Sequence, residues 1–533
     1  MNGIFARPLA LLPSLGAVAA AAASAAAPDG ATPVRPNIVC IFADDHSFQT
    51  ISAYGHPISR LAPTPNIDRL AQRGMIFRES FVENSISAPS RATLLTGKYS
   101  HQHNQRTLAA GLDSSITWFP EILRDNGYHT ALIGKLHLFA EPKGFDYFSI
   151  LQDQGEYYNP RFRSSDSEVE YVREAGYATN LITDKAIEWL DRNTADGKPF
   201  CILVNHKAPH RDWMPDFPYM DLYEDVTFPE PPTLFDNYET RGPQMKQQEL
   251  TIDRHMGYAF DFKVRQLADE PTLPYIRQSW INAMSELTPE EKSRWEAAYD
   301  AKNAAFLGNR PQGRELLKWK YQRYIKEYCR TIKSIDDQVG RLVDYLDEHG
   351  LTENTIIVYT SDQGFLMGEH GLYDKRFMYE ESLRTPLIVS WPGHIAPGSE
   401  CDEMVQNIDL APTFLNVAGC SADSEMAGSP LTELFATGKS DSWRKDIYYH
   451  YYDYPAVGSV RRHDGVRTGR FKLIHWYGEG YNGDSDIDYY EFYDLEKDPT
   501  EVSNCIDDPK YKVEIESLKN RLGEYRSSLK VDE

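Results

Sequence analysis

Four short apolar runs, each ending in polar residues able to do chemistry, constrain the fold of this chain more than any other feature. Asn37-Ile38-Val39-Cys40-Ile41-Phe42-Ala43 runs into Asp44-Asp45-His46, and Thr130-Ala131-Leu132-Ile133-Gly134 runs into Lys135-Leu136-His137. Phe200-Cys201-Ile202-Leu203-Val204 leads to Asn205-His206-Lys207-Ala208-Pro209-His210, and Thr355-Ile356-Ile357-Val358-Tyr359-Thr360 leads to Ser361-Asp362-Gln363-Gly364. Nearly continuous apolar runs of this length read as strands buried on both faces, the habit of a parallel sheet. Helical patterns lie between them, over residues 66–73, 118–126, 184–192 and 329–348. Strands alternating with helices predict an α/β layer fold, and in such folds ligands gather at the carboxyl ends of the strands. The four polar endings therefore predict one active site.

The flanking segments read differently. Residues 211–320 are rich in Pro, Asp, Glu and aromatics with weak periodicity, and read as a long insertion over the site face. From about residue 426, short strands are expected over 447–454, 466–472, 473–476 and 491–495, with a closing helix over 510–529, which together make a smaller antiparallel α+β unit. At the other end, Arg7, the alanine-rich stretch Leu9–Ala27 and the small residues Ala25-Ala26-Ala27 before Pro28 read as a signal peptide over residues 1–27. The domain reading is thus a catalytic domain over 28–425 and a C-terminal subdomain over 426–533. No Cys lies near the cleavage site to carry a lipid, and no other apolar run is long enough for an integral membrane segment. The export signal implies a secreted, periplasmic protein. The six cysteines, Cys40, Cys201, Cys329, Cys401, Cys420 and Cys505, are not spaced as a metal site. Cys40 and Cys201 sit inside apolar runs and read as buried thiols. Disulfides among the others are open in an oxidising compartment. A net charge of -23 argues against nucleic acid as a partner, but a local cluster of cations can still bind an anion.

The acidic pairs suggest a metal. Asp44 and Asp45 follow one strand, Asp362 and Gln363 another, and three carboxylates with an amide carbonyl are hard oxygen ligands suited to Ca²⁺, or to Mg²⁺ with more water. Only His46 adjoins either pair, which is too little histidine for a two-zinc phosphatase centre.

Ser87-Ala88-Pro89-Ser90-Arg91, followed by Ala92-Thr93-Leu94-Leu95-Thr96-Gly97, carries the most specific signal. Pro89 suits an early helix position, which places Ser87 at a helix N-terminus, where amides and dipole favour an anion. As encoded, Ser87 is a weak nucleophile with no Ser-His-Asp arrangement around it in sequence. The run reads Ser-x-Pro-x-Arg with Thr-Gly downstream, and in this it resembles the type I, formylglycine-dependent sulfatases of the serine type. That resemblance implies an alkaline-phosphatase-like sandwich with a large mixed, mostly parallel sheet flanked by helices, plus the smaller antiparallel subdomain. It also implies that a radical-type maturating enzyme oxidises Ser87 to formylglycine (3-oxoalanine), whose hydrate attacks sulfur and also ligates the metal. By the same resemblance Arg91 stabilises the hydrate. Lys135, in the run Gly-Lys-x-His, contacts sulfate, and His137 takes the proton when the hydrate collapses. His210 donates a proton to the leaving oxygen, and Lys375, in Asp374-Lys375-Arg376-Phe377, binds a sulfate oxygen. Asp44, Asp45, Asp362 and Gln363 hold the cation, with Gln363 standing where the family often has Asn.

Gln154-Gly155-Glu156-Tyr157-Tyr158-Asn159-Pro160 and the segment Ser361 to Pro386 resemble the bacterial N-acetylglucosamine-6-sulfatases within that family. This implies 6-O-desulfation of N-acetylglucosamine in glycosaminoglycan or mucin glycans. The alternatives are a sulfatase for another sulfated sugar, a phosphatase or phosphodiesterase on the same fold, and a non-catalytic glycan-binding protein should Ser87 stay unoxidised. Arg462 and His463 either bind the sugar or form a solvated charged turn, and Trp213 is either a sugar platform or loop packing.

Overall fold

The computed structural model describes residues 35–531, and the expected signal peptide lies outside them. The main sheet has ten strands: β1 (Asn37–Ala43), β2 (Met75–Phe77), β3 (His129–Gly134), β4 (Tyr147–Leu151), β5 (Arg161–Ser164), β6 (Val172–Arg173), β7 (Phe200–Asn205), β8 (Thr355–Ser361), β9 (Leu387–Ser390) and β10 (Ser399–Cys401). Their spatial order is β10-β2-β9-β8-β1-β7-β3-β4-β5-β6. The central block β8-β1-β7-β3-β4 is parallel throughout. Antiparallel pairing enters only towards the edges, at β9, β5 and β6. All four apolar runs are strands of the central block, and they are contiguous in it.

Alternation along β1 shows why the runs are unbroken. Val39 and Ile41 face one core, shared with Ile67 and Leu70 of α1 (Pro65–Arg73), Ile182 and Ala186 of α3 (Ala178–Asn193), and Ile335 and Val339 of α6 (Gly313–Glu348). Ile38, Cys40 and Phe42 face the other, shared with Ala92, Leu94 and Leu95 of α2 (Ser87–Thr96). A strand covered on both faces has no solvent side, so polar alternation would bury unpaired groups at several kcal/mol each. The full burial of every β1 residue accords with this. Among the described residues the cysteines are all free thiols; Cys40, Cys201, Cys329 and Cys401 are buried.

The stretch 211–320 does have regular structure: α4 (Pro274–Ser285), α5 (Pro289–Gly308) and the start of α6. Periodicity is weak because α5 buries only Trp295, Tyr299, Asn303 and Phe306, a narrow stripe that includes a polar residue. The Thr288/Glu291 capping box sets its start.

The antiparallel sheet comprises β11 (Asp446–Tyr451), β12 (His463–Thr468), β13 (Phe471–Gly478) and β14 (Ile487–Asp494), in that spatial order. Tyr448, Val466, Leu473 and Phe492 pack beneath Ile515, Leu518 and Leu522 of α7 (Lys512–Leu529). Tyr449, Ile474 and Trp476 face Phe377 and Tyr379 of the catalytic layer. The described residues fall in one compact unit, with the antiparallel sheet packed against the catalytic layer. One expected boundary is corrected. The reversal falls at Gly469-Arg470, between β12 and β13, and not at Lys472. Lys472 lies inside a strand because its ammonium is neutralised in the interior, 2.9 Å from Glu380 and 2.7 Å from Glu501.

Candidate active site

The strand exits are tied to one another by backbone hydrogen bonds beyond the sheet proper. Asp44 N–H donates to Ala208 O at 3.2 Å, Lys135 N–H to Asn205 O at 2.8 Å, His206 N–H to Phe42 O at 2.8 Å, and Asp362 N–H to Ala43 O at 3.3 Å. Gly134, at φ +103, permits the turn out of β3; a Cβ there would lie 1.9 Å from Asn205 O. Asp45 N–H donates to Asp362 Oδ1 at 2.9 Å, which joins the two acidic pairs. Asp45, His137, Asp374 and Arg376 all have left-handed φ, at 65°, 52°, 78° and 90°. Non-glycine residues held in that region cluster at functional sites.

Ser87 is the first residue of α2, every residue of which is buried, and no side chain caps its first turn. The free N–H groups of that turn favour an anion. Ser87 Oγ donates to Asp44 Oδ1 at 3.3 Å. Arg91, one turn on, places one guanidinium nitrogen 3.1 Å from Asp362 Oδ2 and 3.3 Å from Asp44 Oδ1, while another donates to Lys135 O at 3.1 Å. The Lys135 ammonium donates to Asp44 Oδ2. Lys375 Nζ donates to Asp45 Oδ1 and Oδ2 at 2.7 and 2.6 Å. His210 Nε2 lies 3.7 Å from Asp45 Oδ2, and its Nδ1–H donates to Arg211 O, since a carbonyl only accepts.

These contacts divide the carboxylates. Burial alone would raise Asp44, but Lys135, His210 and Arg91 outweigh it and hold the carboxyl well below its ordinary value. Burial, opposed by Lys375 and aided by Asp44 and Asp362, pushes Asp45 up to about 7. Burial and the Asp44 charge push Asp362 up to about 6. Burial brings Lys135 down to about 8 and drives His137 and His210 well below the usual imidazole range.

Such a cluster of buried carboxylates fits a divalent cation. Asp44, Asp45 and His210 offer ligand atoms within 4.8 Å of one another. Gln363 donates from its amide to Asp45 and Asp362, and its Oε1 is buried with no partner. Half a turn of that amide presents the carbonyl to the same point, completing a hard oxygen set.

Above the acids opens a cleft of about 350 Å³, lined by Asp45, Ser87, His137, His210 and Lys375. Its far wall comes from the insertion, through Arg211, Phe260, Tyr275, Asn282 and Glu286. The expected catalytic residues Ser87, Arg91, Lys135, His137, His210 and Lys375 thus surround the expected metal residues Asp44, Asp45, Asp362 and Gln363. Three expected sugar-binding residues are not brought to the cleft. Trp213 is fully buried against Tyr324, Tyr328 and Phe365, and is loop packing. His463 is fully buried and stacked on Trp476, with Nδ1 bonded to Arg461 O. Arg462 is exposed and reaches back to Tyr454 O at 3.2 Å. The neighbouring charge that suggested a binding turn is structural, for Arg461 is buried and donates to the carbonyls of Gly478 and Glu479.

Sequence reasoning missed the wall. Arg211 is gripped by Asp261 through two 2.7 Å bonds, and Glu286 Oε2 accepts from Tyr157 N–H at 3.0 Å. Neither lies in a motif. Tyr157 and Tyr158 were singled out as a segment, yet both are buried, and Tyr157 OH holds the His210 loop by donating to His210 O at 2.7 Å. Gln154, in the same segment, touches both Lys135 and His137.

A buried helix-borne serine, a hard-ligand acid cluster and a ring of cations at the ends of parallel strands define a hydrolase of anionic esters. The sulfatase family model matches residues 36–420, and a model of the N-sulphoglucosamine sulphohydrolase C-terminal region matches 368–528. An N-acetylglucosamine-6-O-sulfatase of Bacteroides thetaiotaomicron is 41% identical over 513 residues, covering 95% of this chain and 89% of that protein. The N-acetylglucosamine-6-sulfatase of Capra hircus is 27% identical over 443 residues, covering 78% and 66%. A solved structure of a protein in complex with its substrate D-glucosamine-2-N,6-O-disulfate superposes with TM-score 0.86 at 41% identity, covering 93% of this chain and 98% of that one. The chain belongs to the sulfatase family. It is a sulfuric ester hydrolase with the alkaline-phosphatase-like architecture, and its family implies a formylglycine and a metal ion.

Proposed function

We propose that this chain is a secreted, periplasmic N-acetylglucosamine-6-O-sulfatase acting on glycosaminoglycan or mucin glycans, with Ca²⁺ as its metal and formylglycine made from Ser87. The observation that carries the sugar is the 41% identity to the Bacteroides enzyme, which extends over 95% of the chain. The likeness to the structure holding a 6-O-sulfated glucosamine supports it. Asp44, Asp45, Asp362, Gln363 and residue 87 would hold the cation, which supplies Lewis-acid polarisation of a sulfate oxygen. A radical-type maturating enzyme would supply the aldehyde, whose hydrate offers one hydroxyl to attack sulfur and another to release it.

The remaining work falls to the chain's own side chains. Arg91 bridges Asp44 and Asp362 and fixes them beneath residue 87. Lys135 and Lys375 set buried positive charge against the negative charge that builds on the sulfate oxygens. His210 keeps one proton on Nδ1 for Arg211 O, so the proton it delivers to the leaving sugar oxygen sits on Nε2, beside Asp45. An anionic ester in the cleft favours that charged form despite burial. His137 serves the step in which the hydrate collapses.

The test is a panel of sulfated mono- and disaccharides with the native-host enzyme, alongside mass spectrometry of the peptide containing Ser87. The reading expects release of 6-O-sulfate from N-acetylglucosamine and a residue 87 lighter than serine by two hydrogens. Full sulfatase activity with unmodified serine would refute the mechanism, and turnover of another sulfated sugar alone would refute the substrate.

A further inference from the structure

We infer that Gln154 is a positioning residue that sets the tautomer of His137 and couples it to Lys135. The inference rests on the reading of His137 and Lys135 as catalytic groups.

Gln154 sits in a tight turn after β4, closed by Gly155 N–H donating to Gln152 O at 2.7 Å. Asp153 and Gly155 on either side have left-handed φ, at 48° and 77°. The left-handed φ at Gly155 is the conformation that favours glycine in this bend. The turn points the carboxamide into the cleft, where it lies 2.5 Å from Lys135 Nζ through Oε1 and 3.0 Å from His137 Nε2 through its nitrogen.

Chemistry decides which way the amide faces. An ammonium has three donors and no acceptor, so only the carbonyl of Gln154 can meet Lys135. The –NH₂ is thereby turned to His137, and an –NH₂ only donates, so His137 Nε2 must be the unprotonated nitrogen. Burial keeps the ring neutral. Its single proton then resides on Nδ1, which is buried and has no partner in the protein. His137 thus enters the reaction as an Nδ1–H donor, and any proton it accepts arrives at Nε2 at the expense of the Gln154 bond. Only a carboxamide does this. A carboxylate would accept from both neighbours, and an apolar isostere would bind neither.

The experiment uses full-length protein labelled with ¹⁵N-histidine, with His137 assigned from the signals lost in a His137→Ala sample. The expected wild-type spectrum shows His137 protonated on Nδ1 and bare on Nε2. Gln154→Met should lose that preference and lower kcat at least ~10-fold, with KM within about twofold, as for lost orientation rather than lost binding. Gln154→Glu keeps the acceptor for Lys135 and should move the proton to Nε2; it carries the test if the methionine variant fails to fold. A wild-type His137 protonated on Nε2, or a tautomer unmoved in both variants, overturns the inference. The tautomer is read without turnover, so failure of the sulfatase reading would show separately, as inactive wild-type enzyme with an intact spectrum.

Discussion

Lys472 and Lys135 are both wholly buried ammonium groups, yet their surroundings differ. Lys472 lies where the antiparallel sheet meets the catalytic layer. It donates to Met378 O at 2.7 Å and lies 2.9 Å from Glu380 and 2.7 Å from Glu501. Arg467 beside it is paired with Glu79 at 2.7 Å and Glu380 at 3.2 Å. Lys135 instead meets Asp44 and Gln154 at the edge of a cleft. Around it Gln363 Oε1, His137 Nδ1 and Arg91 Nε are buried without partners, and the backbone turns left-handed at four non-glycine positions. Buried charge by itself therefore does not mark function. Atoms without a hydrogen-bond partner occur in both clusters, Arg467 Nη1 among them; what differs is that the closed pair joins two layers, whereas the open set borders a cleft that a ligand can enter.

Replacing Ser87 with Ala tests the open set most severely. Turnover should fall by at least ~10³-fold while circular dichroism is unchanged, because nucleophile loss leaves only binding and electrostatics. Retained turnover would remove Ser87 from the mechanism. Asp362→Ala should lose bound metal and activity together, measured by elemental analysis and sulfate release; normal hydrolysis by the metal-free variant would break the assignment. In the closed pair the expected effect is on stability. Lys472→Met leaves Glu380 and Glu501 buried against each other and should cost about 3–5 kcal/mol in denaturant unfolding, with kcat of the folded protein unchanged. A loss of kcat with stability intact would put Lys472 in the functional class.

A pH series sharpens the contrast further. Asp45 and Asp362 keep their protons in the folded, metal-free chain up to about 7 and about 6. An unfolded carboxyl releases its proton near pH ~4. The folded state therefore binds more protons between those limits, and stability falls as pH rises through that window. Glu83 and Glu501, each raised to about 7 by burial, act in the same sense. His46, His103, His206, His370, His450 and His463, all held below the usual imidazole range by burial, pull the other way below about pH 6.5, so the carboxyl share is read as a difference between variants. Chelated Asp45→Asn protein should gain Tm relative to chelated wild type as pH rises from 5 to 8; a difference that stays flat with pH would contradict the raised carboxyl. The smallest effect is expected at Arg462, which reaches away from the cleft to a Tyr454 carbonyl. Arg462→Ala should leave kcat/KM within about twofold, and a larger loss would return it to the substrate site.

The catalytic end of the molecule was largely legible before its structure. The four apolar runs announced their strands because full burial on both faces forbids polar alternation, and each run led directly into residues that gather at the acid cluster and its cleft. The Ser87 run is local too, since a helix start and its first turn lie within a few residues. The insertion was less legible because α5 buries a narrow stripe, and Lys472 misled because a charge inside a strand makes sense only with its distant partners in place. Trp213 and His463 carried the right residue types for sugar binding and were drawn instead into packing, which no local pattern distinguishes.

The order of residues along the chain determined the parallel sheet, the position of Ser87 at a helix start and the acids at the strand exits, since each follows from neighbours a few bonds away. Tertiary structure alone decided that Gln154 meets Lys135 and His137, that Arg211 and Glu286 close the cleft, and that Arg462 does not. Those outcomes depend on which side chains, far apart in sequence, the packed layers bring within hydrogen-bond reach. Hydrogen bonds act over about 3 Å, so a shift of one turn or one loop decides them.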